Sequence, residues 1–116
     1  MAGNLNFIIL HVRDVVAERD FYREALGLGI VDESPAFVQF QANGGAFFAL
    51  QADDQPVPTQ NIELWWEVGD VDAEYAALAK RGVEIVSAPQ DQPFGRALTF
   101  KDPEGNLVNM YRLKQG

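Results

Sequence analysis

The sequence says nearly the same thing twice, and a chain that repeats itself in this way is constrained to fold as two copies of one supersecondary unit. The first copy runs Phe7-Ile8-Ile9-Leu10-His11-Val12-Arg13-Asp14, then Val15 to Leu26, then Gly27 and Leu28-Gly29-Ile30-Val31. The second runs Glu63-Leu64-Trp65-Trp66-Glu67-Val68-Gly69-Asp70, then Val71 to Arg81, then Gly82 and Val83-Glu84-Ile85-Val86. Asp14 and Asp70 stand where an apolar run gives way to helical spacing, and an Asp there accepts hydrogen bonds from the free amides of the first turn. Val15, Tyr22 and Leu26 in one copy, and Val71, Tyr75, Leu78 and Ala79 in the other, give each helix an apolar face. Gly27 and Gly82 supply the left-handed residue that stops it.

Two more strands follow in each half. Ala36 to Gln41 and Ala46 to Gln51 flank Asn43-Gly44-Gly45, a hairpin signal. Leu98 to Lys101 and Asn106 to Leu113 flank Asp102-Pro103-Glu104-Gly105, where Pro suits the second turn position and Gly a positive φ. The pattern predicts an α+β fold of two βαβββ repeats, residues 5–52 and 62–113. The linker is 53–61, where Pro56 and Pro58 break regular structure. A chain of 116 residues, 47% hydrophobic and 22% charged, suits a single domain spanning 1–116.

Charge and cysteine content narrow the function. With 17 acidic against 9 basic residues the formal net charge is −8, a field that repels nucleic acid and anionic membranes. Cysteine is absent, which removes disulfides, thiolate metal sites and thiol nucleophiles. Met1 to Asn4 carry no basic segment ahead of a long apolar run, and no stretch reaches bilayer-spanning length, so a cytoplasmic protein is expected.

Taken in order and spacing, Val12-Arg13-Asp14, Phe21-Tyr22, Leu26-Gly27-Leu28, Val68-Gly69-Asp70-Val71-Asp72, Pro93-Phe94-Gly95-Arg96 and Asp102-Pro103-Glu104-Gly105-Asn106 make the chain resemble the vicinal oxygen chelate superfamily. The resemblance covers nearly the whole chain. It implies two curled mixed sheets enclosing a cup, with the helices outside, and a ligand site on the concave face. Metal-dependent members of that superfamily hold a divalent ion with four His or Glu side chains. The matching positions here are Phe7, Ala49, Glu63 and Asn109. Phe and Ala offer no lone pair, so neither a metal nor another cofactor is expected, and no catalytic residue is assigned. The motifs identify a fold and not a reaction. A glyoxalase-like lyase or isomerase, or a dioxygenase, would need an atypical metal site. A third reading is an interaction or regulatory module.

Within the superfamily the local match is closest to the bleomycin-resistance-type binding proteins, through Asp54-Gln55-Pro56-Val57-Pro58 ahead of Trp65 and Gln92-Pro93-Phe94-Gly95-Arg96 ahead of the last hairpin. Strand alternation places Glu63, Trp65 and Glu67 on one face. A tryptophan between carboxylates suits a cationic or aromatic ligand, such as a glycopeptide antibiotic, held without being transformed. His11, the chain's one histidine, lies four residues after Phe7 and on its face of the strand. Its repeat counterpart is Glu67, and three roles stay open for such a pair: structural, ligand-contacting or acid–base. Phe37, Phe47 and Gln51 are further candidate wall residues, with Asn109 at the floor. The resemblance also implies a homodimer, which would cover exposed sheet edges.

Overall fold

The computed structural model describes residues 3–57 and 62–115, so residues 58–61 of the expected linker lie outside the described residues. The chain divides into two compact units, Met1–Val57 and Pro58–Gly116. Each is a βαβββ unit with a four-stranded mixed sheet, and the fold is α+β.

In the first unit the elements are β1 (Phe7–Val12), α1 (Val15–Ala25), β2 (Ile30–Ser34), β3 (Phe37–Phe40) and β4 (Phe47–Ala52), in the sheet order β1-β4-β3-β2. β1 runs parallel to β4, with Phe7 opposite Phe47, Ile9 opposite Ala49 and His11 opposite Gln51. β3 is antiparallel to β4 and places Phe37 opposite Gln51. Asp14 caps α1, accepting from the Ala17 amide at 3.0 Å, and Gly27 at φ 66° turns the chain out of the helix. Between β3 and β4, Asn43 and Gly44 both have positive φ (45° and 87°), as the tight turn of a twisted hairpin requires.

The core of this unit lies between α1 and one face of the sheet. Leu10, Val12, Val38, Phe40, Phe48 and Leu50 are buried, and Tyr22 of α1 packs on Phe40 and Phe48 with ring centroids 6.5 and 5.0 Å apart. Because strand side chains alternate, burying that set sends Phe7, Ile9, His11, Phe37, Phe47, Ala49 and Gln51 to the opposite face.

The second unit repeats the plan with β5 (Trp65–Glu67), α2 (Val71–Lys80), β6 (Ile85–Gln92), β7 (Gly95–Lys101) and β8 (Leu107–Leu113), in the order β5-β8-β7-β6. β5 runs parallel to β8, pairing Trp65 with Asn109 and Glu67 with Tyr111. Asp70 caps α2 by accepting from Ala73 N at 3.0 Å. Leu64, Val71, Leu78, Leu98, Phe100, Val108 and Met110 are buried. The Asp102 turn is tied from within: the carboxylate accepts from the amides of Glu104 and Asn106, both at 2.9 Å, and from the Asn106 side chain.

Two features depart from the strands expected from sequence. β5 begins at Trp65, although Leu64 O still accepts from Asn109 N at 3.0 Å. β6 runs on past Val86 to Gln92 in spite of Pro89, which removes an amide donor. It is accommodated because β6 is the edge strand and its pairing with β7 is irregular between Ser87 and Gln90.

Arg96 on β7 binds the β6–β7 hairpin to α2. Its Nε and Nη2 donate to the Asp72 carboxylate at 2.8 and 3.0 Å, and Nη1 donates to Asp91 at 2.9 Å. These bonds raise the Arg96 pKa and hold the Asp72 carboxyl below its ordinary range, the guanidinium hydrogen bond being the main cause. A depressed carboxyl pKa adds stability that is present above the ordinary carboxylate range and is lost as the pH falls through the depressed value. Carbon-detected NMR titration is expected to show Asp72 titrating below the ordinary carboxylate range, and Arg96→Gln is expected to bring it back up toward that range.

Candidate functional site

The candidate site residues fall on the helix-free faces of the two sheets, four on each. His11, Phe37, Phe47 and Gln51 share the first sheet's face, where β1, β4 and β3 bring His11, Gln51 and Phe37 into one row across the strands. Phe7 and Phe47 form the neighbouring apolar end of that face, with ring centroids 5.9 Å apart. Glu63, Trp65, Glu67 and Asn109 belong to the second unit, where strand pairing sets Trp65 beside Asn109 and Glu67 beside Tyr111.

Trp65 is held at its polar edge. Its indole Nε1 donates to Glu63 Oε1 at 2.9 Å, which fixes the ring and accounts for an otherwise costly tryptophan N–H. The ring is still 42% exposed. Two further aromatics, neither among the sequence-derived candidates, surround it: Phe94 with centroids 5.9 Å apart at 83°, and Tyr111 with centroids 5.8 Å apart at 78°. Phe94 and Tyr111 also meet edge to face at 6.4 Å. The signal for Tyr111 was present in the sequence, two residues beyond Asn109 and therefore on its face. Phe94 could be found only from the hairpin turn that carries it, between the end of β6 and the start of β7.

That turn is sharp because Gly95 opens β7 at φ 155° in close contact with β8. A Cβ built there would lie 2.0 Å from the Arg112 carbonyl oxygen. Just beyond, Lys114 N donates to Phe94 O at 3.0 Å, fixing the backbone of the residue that presents the ring.

Asn109 is buried, and both ends of its amide are engaged. Oδ1 accepts from Thr99 Oγ1 at 2.6 Å, and Nδ2 donates to Leu64 O at 3.0 Å. The strand register also makes Ala49 its repeat equivalent, since Ala49 stands opposite Ile9 as Asn109 stands opposite Trp65. Phe7, Ala49, Glu63 and Asn109, the positions that the resemblance matches to metal ligands, offer one carboxylate, Glu63, and one of its oxygens already receives the Trp65 indole. Among the described residues no group of three or more His, Cys, Asp or Glu side chains is placed to hold a metal ion.

The partner that the structure gives His11 is Asp53, with Nδ1 3.1 Å from Oδ2. Asp53 lies just past β4, in the stretch the sequence marked as linker. Its backbone amide donates to Val12 O at 2.9 Å and so prolongs the β1–β4 pairing by one residue.

Comparison with known proteins places the chain among relatives. The profile of the glyoxalase/bleomycin resistance protein/dioxygenase superfamily matches residues 4–110. The phenazine antibiotic resistance protein EhpR of Enterobacter agglomerans is 26% identical over 115 residues, covering 90% of this chain and 88% of that protein. Among solved structures, TnmS3, an antibiotic binding protein from Streptomyces sp. CB03234, is 28% identical with a TM-score of 0.82, covering 97% of this chain and 98% of its own. A member of the same superfamily from Burkholderia phytofirmans PsJN, 19% identical with a TM-score of 0.84 over 97% of this chain and 100% of its own, shares the fold.

The geometry around Phe94 has a direct test. Gly95→Ala forces the Arg112 carbonyl away from β7 and is expected to lower the unfolding free energy by about 2 kcal/mol in urea titration. It is also expected to red-shift the Trp65 emission as Phe94 withdraws. Phe94→Ala is expected to give the same red shift with the smaller stability loss of a half-exposed ring.

Proposed function

The chain belongs to the glyoxalase/bleomycin resistance protein/dioxygenase superfamily, and we propose that within it this protein binds a cationic or aromatic small molecule, an antibiotic in the broad sense, and sequesters it without transforming it. The observation that carries this reading is the Trp65–Phe94–Tyr111 cluster. Three rings stand edge to face on one another, so each braces the next while Trp65 and Phe94, both 42% exposed, still offer surface to a ligand. Glu63 places negative charge at the indole edge, which enriches the ring face and favours a cation stacked on it, and Glu67 lies two residues further along the same strand face. The functions of two relatives, phenazine resistance and antibiotic binding, support the same class of ligand.

The residues at the superfamily's metal positions do not fit a divalent ion. Phe7 and Ala49 have no donor atom, Asn109 has both amide ends committed within its own unit, and Glu63 alone cannot replace the ion's hydration shell. Recognition therefore falls to ring stacking, carboxylates and hydrogen bonds. We place the protein in the cytoplasm as a single-domain subunit of a homodimer, with no nucleic acid or membrane partner. The net charge of −8 supports the last point, and among the described residues no helix is long and apolar enough to cross a membrane.

Tryptophan fluorescence titrated with phenazine, proflavine and bleomycin tests the ligand class. At least one is expected to quench the emission saturably, and Trp65→Ala is expected to weaken its binding by about tenfold. The ligand should be recovered unchanged by mass spectrometry after prolonged incubation. No quenching by any of the three, a chemically altered ligand, or one transition metal per chain by elemental analysis would sink the reading. Light scattering is expected to give twice the chain mass of 12.9 kDa, and a monomer at micromolar concentration would remove the dimer from it.

A further inference from the structure

The first unit carries a polar site that the aromatic cluster does not account for. An open pocket of about 830 Å³ lies at the end of β1 and β4, with Ile9, His11, Gln51, Asp53 and Asp54 in its lining. His11 and Asp53 are hydrogen-bonded in its wall, with Nδ1 3.1 Å from Oδ2. An ionised carboxylate is only an acceptor, so the imidazole nitrogen facing it, Nδ1, is the one that carries a proton, and in a neutral ring Nε2 is then the nitrogen with the lone pair. Asp53 is itself fixed: its amide bonds to Val12 O at 2.9 Å, and its Oδ1 accepts from the Gln55 amide at 2.9 Å. Gln51 spends its amide nitrogen on Ala36 O at 3.2 Å, which leaves its carbonyl oxygen as the end available to a ligand.

His11 Nε2, the Gln51 oxygen and the Asp54 carboxylate are acceptors along this pocket, and the Gln55 side chain also lines it. A ligand group that meets the His11 and Gln51 pair on the strands is a donor. The body that carries it must be apolar, because Ile9, the preceding residue on this face of β1, is 47% exposed, and Phe7 with Phe47 continues the face beyond it. The geometry points to a ring hydroxyl on an aromatic ligand as the group this pocket takes, its O–H donating to His11 Nε2, with Asp53 as the positioning residue that locks the tautomer. This assignment rests on the reading of the chain as a binder of aromatic small molecules. It makes the His11 pocket a specificity-determining subsite that distinguishes hydroxylated aromatics from their alkyl ethers.

The test uses the full chain with a matched pair of probes, 2-hydroxyphenazine and 2-methoxyphenazine, measured by calorimetry. The wild type is expected to bind the hydroxyl compound about tenfold more tightly, the worth of one well-placed hydrogen bond, and His11→Ala is expected to bring the ratio close to one. Since His11 is the one histidine, its nitrogens are assigned without ambiguity in a long-range proton–nitrogen spectrum. The hydroxyl probe is expected to shift Nε2 while Nδ1 stays protonated, and the methyl ether to leave both unchanged. In Asp53→Ala the free protein is expected to show a mixture of the two tautomers and a reduced ratio. The wild-type spectrum decides the point even if His11→Ala fails to fold. Equal affinity for the two probes, or a preference that survives in His11→Ala, overturns the subsite while leaving the binding function intact. Failure of both probes to bind overturns the subsite together with the function it rests on.

Discussion

In each half of the chain the first strand lies parallel beside the last, and that pairing decides which side chains enter the core and which are left on the open face. The pleat alternates strictly, so a slip of one residue between β1 and β4 would exchange Leu10 and Val12 for Ile9 and His11. Burial holds the register against such a slip, since Val12, Leu50, Val38 and Phe40 are fully enclosed. The functional face is thus specified from behind: the residues under the helix fix where the residues on the open face stand.

The two halves share this frame and use it differently. Counting seven residues back from each capping aspartate aligns Phe7 with Glu63, Ile9 with Trp65 and His11 with Glu67. Strand register then aligns Ala49 with Asn109 and Gln51 with Tyr111. The buried counterparts stay aliphatic or aromatic in both copies, because each must fill the space beneath a helix. On the open faces the chemistry has separated. One face carries an acceptor pocket at His11 beside aliphatic and phenyl surface. The other carries a braced aromatic cluster with carboxylates. Duplication supplied two equivalent surfaces, and nothing in the packing obliges them to remain alike.

What could be read from sequence follows the range of the interaction involved. The helix caps at Asp14 and Asp70, the stops at Gly27 and Gly82 and the hairpin at Asn43-Gly44 are decided within a few residues, and all stand where the sequence placed them. Strand parity was legible for the same reason, and with it the grouping of Trp65 with Glu63 and Glu67. Contacts between segments distant in sequence were not legible. Asp53 reads as the first residue of a proline-containing linker, and only the added Val12 hydrogen bond shows that it continues β4 far enough to meet His11. Phe94 stood in a motif the sequence singled out, but its place beside Trp65 depends on the turn between β6 and β7 and on an edge strand that runs past Pro89. Asn109 was placed at the floor of the site, and what the sequence could not show is that its amide bonds to Thr99 and Leu64, which depends on β7 and on the segment ahead of β5.

Open apolar surface carries a hazard of its own. Phe7, Ile9, Trp65, Phe94, Leu107 and Leu113 all leave a third or more of their area open, and apolar area of that kind promotes association as readily as it promotes binding. The excess of acidic residues opposes this, because a net charge of −8 on so small a chain makes copies repel one another at distances where dispersion has not yet acted. The same field draws cations in, so the charge that keeps the protein dispersed also biases it toward positively charged partners. Specificity has to come from shorter range, from the edge-to-face ring cluster and from which pocket groups still have a lone pair to offer. A single substitution on either open face is therefore expected to change what is bound long before it changes whether the chain folds, since the residues that hold the fold point the other way.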